Sequence, residues 1–218
     1  MTLALFDLDH TLLQADSDHG WGDFLVNKGL VDAEQYTAAN QHFYRQYQAG
    51  TLDIHEYAAF SFQFLQRTDR ATLNALHQQY MEEFVRPRIS QAARELVARH
   101  REQGHTLIII TATNSFVTRP IATELGISDL IAIEPRMENG HFTTQIAGIP
   151  SFRKGKVQRL YLWLENNTET LAGSYFYSDS HNDLPLLELV DHPIAVDPDN
   201  TLRAIAEERH WPVISLLP

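Results

Sequence analysis

Asp7 and Asp9 stand two residues apart at the end of the apolar run Leu3-Ala-Leu-Phe-Asp-Leu-Asp9, with Thr11 two residues further on. A strand presents alternate residues on one face, so acids at this spacing reach the same side. The end of a buried strand is where a carboxylate can meet water, metal and substrate. Two like charges about 4 Å apart at an effective dielectric near 20 repel by roughly 4 kcal/mol, so the pair calls for a bound cation, a shared proton or both. Three other features sit at comparable places. Thr111 closes the run Leu107-Ile-Ile-Ile110 and leads into Ala112-Thr113-Asn114. Lys156 opens a helical stretch, and Ser178-Asp179-Ser180-His181-Asn182-Asp183 follows Tyr175-Phe-Tyr177.

Each feature alone has an ordinary explanation: an acidic surface turn, a turn-starting threonine, a solvated lysine, acids capping a helix. Together they fit phosphoryl transfer through an aspartyl intermediate. Asp7 is the expected nucleophile, because a carboxylate can approach phosphorus once a cation shields the anionic ester. Asp9 is the expected acid and base: with its pKa raised, it protonates the leaving oxygen and later takes a proton from the hydrolytic water. Mg2+ accepts few carboxylates and keeps waters and phosphate oxygens, so Asp7, the backbone carbonyl of Asp9, and Asp179 form its expected shell. Asp183 joins directly or through a metal-bound water. The carboxylates and a phosphate dianion outweigh one divalent ion and one lysine, so one group must hold a proton, and Asp9 is the candidate. Thr111, the amides after it, Lys156 and Asn182 are expected to bind the phosphoryl oxygens.

These residues need a frame to bring them together. From about Ser17 to Arg86 the pattern is helical, read as four helices, with Asp32/Gln35 and Asp53/Glu56 at capping-box spacing and with Gly50 and Pro87 as stops. More than half of the chain's aromatics lie there, and some must form a private core. After Pro87, strands and helices alternate. A helix over 90–101 is stopped by Gly104; a strand over 106–111 and a helix over 116–125 follow. A hairpin turns at Glu138-Asn-Gly140, and a helix spans 154–166. Two more strand-helix units and a terminal strand complete the chain. The expectation is an α/β protein: a Rossmann-like parallel core from 1–16 and 87–218, with an α-helical cap, 17–86, inserted after the first strand.

Asp7-Leu-Asp9-His-Thr11 resembles the first motif of the haloacid-dehalogenase-superfamily phosphatases, Thr111 the second, Lys156 the third, and Asp179 to Asp183 the fourth. The helical insertion between the first and second motifs resembles the cap of the phosphoserine-phosphatase-like subgroup. Gly155-Lys-Val157 and Asp183-Leu-Pro-Leu-Leu187 are similar to a bacterial branch with histidinol-phosphatase-like members. His10, where many relatives carry a small residue, and Tyr177-Ser178-Asp179, in place of the commoner Gly-Asp, depart from the pattern without removing a reacting group.

The 218 residues carry a formal charge of −11, with no long basic run to support a nucleic-acid surface. No apolar stretch approaches a membrane span, and the absence of cysteine suits a reducing cytoplasm and leaves oxygen or imidazole to hold any metal. The expected partner is a small phosphate ester. The cap aromatics and Asp16, Asp18 and Asp23 suit an amine-bearing one such as histidinol phosphate or phosphoserine. Transfer to a second hydroxyl, as in a phosphotransferase or mutase, would use the same residues; a non-catalytic binding module would not need Asp9.

Overall fold

The computed structural model describes residues 1–217. The chain begins with β1 (Leu3–Phe6) and continues into five inserted helices: α1 (Ser17–Asn27), α2 (Ala33–Gln48), α3 (Ile54–Ser61), α4 (Gln63–Arg67) and α5 (Arg70–Tyr80). Then come α6 (Gln91–Glu102), β2 (Thr106–Asn114), α7 (Ser115–Glu124), β3 (Asp129–Glu138), β4 (His141–Ala147) and α8 (Lys154–Leu164). The last elements are β5 (Tyr175–Ser178), α9 (Leu184–Leu187), β6 (His192–Val196), α10 (Asn200–Glu208) and β7 (Val213–Ile214).

The strands form one sheet in the order β4-β3-β2-β1-β5-β6-β7, parallel throughout except for the β3–β4 pair. Every residue of β1 is buried, as a central parallel strand covered on both faces requires. Alternate residues supply two separate cores. Ala4, Phe6, Ile109 and Tyr177 face α6, α7 and the inserted helices, whereas Leu3, Leu5, Ile108 and Phe176 face α8, α9 and α10. After β1 the chain builds one half of the sheet, then returns past β1 to build the other. The order therefore reverses at β1, and the C-terminal ends of β1, β2 and β5 border the crevice where open α/β sheets bind ligands.

The inserted helices are set by their caps: the carboxylates of Asp16, Asp32, Asp53 and Asp69 accept backbone amides at the starts of α1, α2, α3 and α5. Five helices stand where four are expected, because α3 ends and α4 begins at Phe62, with no glycine, proline or capping side chain to mark the break. A π-helical turn, Met81–Val85, and a 3-10 turn, Arg86–Arg88, lead out. The aromatics divide between two roles. Tyr36, Phe43, Tyr57 and Phe60 pack ring against ring between α2 and α3, while Trp21, Phe24 and Tyr80 join the core that lies on the sheet. The hairpin turns through Asn139 and Gly140, both at positive φ, 50° and 82°, which the tight β3–β4 connection requires.

Candidate active site

Asp7 follows β1 directly, and its amide donates to the Tyr177 carbonyl at 2.9 Å, so the nucleophile position is fixed to β5. Its Oδ1 accepts from Lys156 Nζ at 2.7 Å; the same ammonium donates to Asp183 Oδ2 at 2.8 Å, which also accepts from Ser178 Oγ at 2.8 Å. All four groups are buried. Lys156 reaches them because α8 starts hard against the preceding loop: a Cβ at Gly155 would lie 2.0 Å from the Pro150 carbonyl oxygen. Only glycine permits that approach.

Asp9 is held quite differently. Its Oδ1 accepts the Ser17 amide at 2.7 Å, at the start of the inserted helices, and its Oδ2 accepts Thr113 Oγ1 at 2.7 Å, at the end of β2. Its side chain is thus committed to hydrogen-bond donors. Asp179 Oδ1 accepts from Thr11 Oγ1 at 3.2 Å, and the Asp179 amide donates back to that hydroxyl at 3.1 Å, which ties the first acidic loop to the last. Thr111 is buried at the same crevice, and its Oγ1 accepts the Thr113 amide at 3.1 Å. Asn182 also lines it, with Oδ1 accepting from Arg153 Nε at 3.1 Å and Nδ2 donating to Ser180 Oγ at 3.4 Å.

Burial pushes Asp7 up to about 7, with Asp183 and Asp9 adding repulsion and Lys156 opposing them. Burial likewise raises Asp9 to about 6, assisted by Asp16 and resisted by the hydrogen bonds from Ser17 and Thr113. Loss of solvent and repulsion from Asp7 and Asp183 hold the Asp179 carboxyl well above the usual carboxylate range. For Lys156, burial alone would lower the pKa, yet Asp183 and Asp7 together hold it above the usual lysine value. Buried Asp7 and Asp183 thus share one ammonium, with the partly exposed Asp179 close by, and the donors of all three are oxygens. That set fits a hard divalent ion such as Mg2+. Among the described residues no group of three acidic or histidine side chains converges closely enough to hold a metal unaided. The remaining donors of such an ion would be main-chain oxygen, water and substrate, as is usual for Mg2+.

A cavity of about 440 Å³ extends from these groups to the inserted helices. Phe43, Tyr44 and Tyr47 of α2 and Tyr57 of α3 line its far wall. Of the acids expected to receive an amine, Asp16 and Asp18 line the cavity, whereas Asp23 is exposed beside His19. Asp18 accepts from Tyr57 Oη at 2.8 Å and from Asn114 Nδ2 at 3.2 Å, and burial raises it to about 7. His10, at φ 55°, also lines the cavity.

The structure brings Asp7, Asp9, Thr111, Lys156, Asp179, Asn182 and Asp183 to one cavity. Four contributors carried no separable sequence signal: Thr113 on Asp9, Ser178 on Asp183, Arg153 on Asn182 and on the Gly50 carbonyl, and Tyr47 on Ser180. In the sequence Arg153 reads as one of three basic residues within four positions, and only its positive φ, 50°, sets it apart.

A family model described as haloacid dehalogenase-like hydrolase matches residues 4–188. A protein of Neisseria meningitidis serogroup C (strain 8013) named histidinol-phosphatase is 43% identical over 217 residues, covering 98% of both chains. A solved structure of a Bordetella pertussis Tohama I protein of unknown function superposes with a TM-score of 0.94 at 43% identity, over 100% of both chains. A substrate-bound phosphoserine phosphatase superposes at 0.70 with 14% identity, covering 99% of this chain and 93% of that one, a likeness of fold.

Proposed function

The chain belongs to the haloacid dehalogenase-like hydrolases and is a phosphoric monoester hydrolase, and from that premise we propose that Asp7 attacks the phosphorus of a small amine-bearing phosphate ester. The observation that carries this reading is the separation of roles between two acids only two residues apart. Asp7 is gripped on one oxygen by Lys156, which leaves the other oxygen for attack; Asp9 is aligned by Ser17 and Thr113 as a proton carrier. Asp183 and Ser178 hold the lysine in place. In the first step the Asp7 oxygen bonds to phosphorus as the ester oxygen departs with the proton from Asp9. In the second, Asp9 takes a proton from water, which displaces Asp7 and releases phosphate. Thr111, Lys156 and the Asn182 amide provide donors for the phosphoryl oxygens. Asp7, Asp179 and the Asp9 carbonyl would hold Mg2+, with Asp183 beside them; bound there, the ion supplies positive charge against the anionic ester.

The name of the Neisseria relative supports histidinol phosphate as the substrate class. So do the cavity's Asp16 and Asp18, which suit an ammonium group, and the aromatic side chains of Phe43, Tyr44 and Tyr47, which suit a flat leaving group. The test is phosphate release from a panel of metabolite phosphates by purified protein with Mg2+ and with a chelator. Magnesium-dependent turnover led by amine-bearing esters is expected; a leading sugar phosphate or nucleotide would overturn the substrate class. Labelled water should enter the released phosphate. Capture of the phosphoryl group by an added alcohol without labelled phosphate would indicate transfer instead.

A further inference from the structure

We propose that His181 and Asp199 form a specificity-determining pair for the leaving group, with His181 Nε2 accepting a hydrogen bond from an N–H or O–H donor remote from phosphorus. The inference rests on the amine-bearing-ester reading above and deepens it. Asp199, the cap of α10, accepts on one oxygen, Oδ2, from both the His181 amide and His181 Nδ1, each at 2.8 Å. Its Oδ1 accepts the Leu202 amide at 2.8 Å, and its own amide donates to the Asp179 carbonyl at 2.8 Å. The imidazole is therefore held by a carboxylate that is itself held at three points. A carboxylate only accepts, so Nδ1 directs its N–H at Asp199, and Nε2 is the ring nitrogen left to meet a ligand. That nitrogen lies at the seam between core and inserted helices, 4.0 Å from where a Cβ on Gly50 would sit, and the ring lines the cavity.

The surroundings sharpen the choice of ligand. Eight aspartates line the cavity, and Lys156 is the one lysine or arginine among its described lining residues. Lys156 is engaged by Asp7 and Asp183, and neighbouring Arg153 donates to the Gly50 carbonyl and to Asn182. With Nε and one terminal nitrogen of Arg153 already engaged, and eight aspartates against one lysine in the lining, the cavity as a whole disfavours a carboxylate. The fitting leaving group is an amino alcohol with a further N–H or O–H donor and no carboxylate, which favours histidinol phosphate over phosphoserine.

The test measures kcat/KM for histidinol phosphate, phosphoserine and phenyl phosphate on the wild type, His181→Ala and His181→Gln. All three esters are read on one preparation, so the folded fraction cancels from their ratios. The wild type should favour histidinol phosphate over phosphoserine by about 100-fold or more. His181→Ala should cut the ratio of histidinol phosphate to phenyl phosphate about tenfold, chiefly through KM, and His181→Gln, which restores an acceptor oxygen, should recover part of it. An unchanged ratio, or equal losses on every ester, would overturn the pair's role and leave the substrate class standing. A wild type that prefers phosphoserine would overturn the pair's role while keeping an amine-bearing substrate, whereas one that ignores both amine-bearing esters would overturn the pair and the substrate class together.

Discussion

Asp7 and Asp9 share a strand end, yet the residues around them give them unlike chemistry. Asp7 meets an ammonium and two further acids, whereas Asp9 meets an amide and a hydroxyl. Replacing Asp7 with Asn keeps the shape and removes the nucleophile. Its kcat should fall by about four orders of magnitude or more, with an unchanged circular dichroism spectrum; near wild-type turnover would remove Asp7 from that role. Thr113→Val probes the other acid. The Thr113 hydroxyl stabilises ionised Asp9 and so lowers a pKa that burial has raised to about 6. Without it, Asp9 holds its proton to higher pH. Because the acid form is the one that protonates the leaving oxygen, the alkaline limb of kcat/KM should move upward in pH. A pH profile whose limb stays put or moves down would show that Thr113 does not tune this acid.

The elements impose their own constraints, most sharply where α8 begins. A methyl group at Gly155 has to displace the Pro150 carbonyl and, with it, the turn that aims Lys156. Gly155→Ala should therefore cost about 1–3 kcal/mol in urea unfolding and lower kcat as well. A mutant with wild-type stability and activity would show that the loop yields freely. The second elemental junction is Asp18, which α1 offers to Tyr57 on α3 and to Asn114 at the cap of α7. Its folded pKa of about 7 exceeds the ordinary aspartate value of 3.8, so between those values the folded state binds more protons than the unfolded one. Its contribution to stability is present below about pH 4 and is lost as pH rises through 7. Asp18→Asn should flatten the fall of the urea midpoint between pH 4.5 and 7.5, and an equal fall in both proteins would assign the slope to other acids. The sequence made most of these elements legible, because helix caps such as Asp32 and Asp53 and the unbroken apolar run of β1 are local signals. It did not mark the break at Phe62. It also ended β2 at Thr111, where the strand runs on to Asn114 after a register shift against β3. That extension is a tertiary effect, and it is what carries Thr113 to Asp9 across 104 residues of sequence. The reacting residues were readable from their types and strand-end positions; the donors that hold them depend on pairings that no local pattern encodes.

For the molecule as a whole, the dominant electrostatic fact is an excess of negative charge, formally −11, a share of which is buried at the switch point of the sheet. Folding brings Asp7, Asp179 and Asp183 together around one lysine, and Tyr47 and Arg153 close the inserted helices over them through Ser180 and Gly50. A cation that binds only this assembled arrangement must stabilise the folded state by mass action. At a hundredfold excess over its dissociation constant the gain is about 2.7 kcal/mol, or roughly 5–10 °C in Tm for a domain of this size. Surface screening would give a rise of its own, but sodium chloride at equal ionic strength would reproduce it. Mg2+ should therefore raise Tm beyond the sodium control in the wild type, and a chelator should reverse the rise. Asp179→Asn should lose most of the increment, since it removes a carboxylate from the proposed shell and leaves the distant surface charge intact. This measurement needs no substrate, so it separates metal binding from turnover. Equal rises with magnesium and sodium, or an Asp179→Asn protein that responds as the wild type does, would place the stabilising cation elsewhere on the acidic surface.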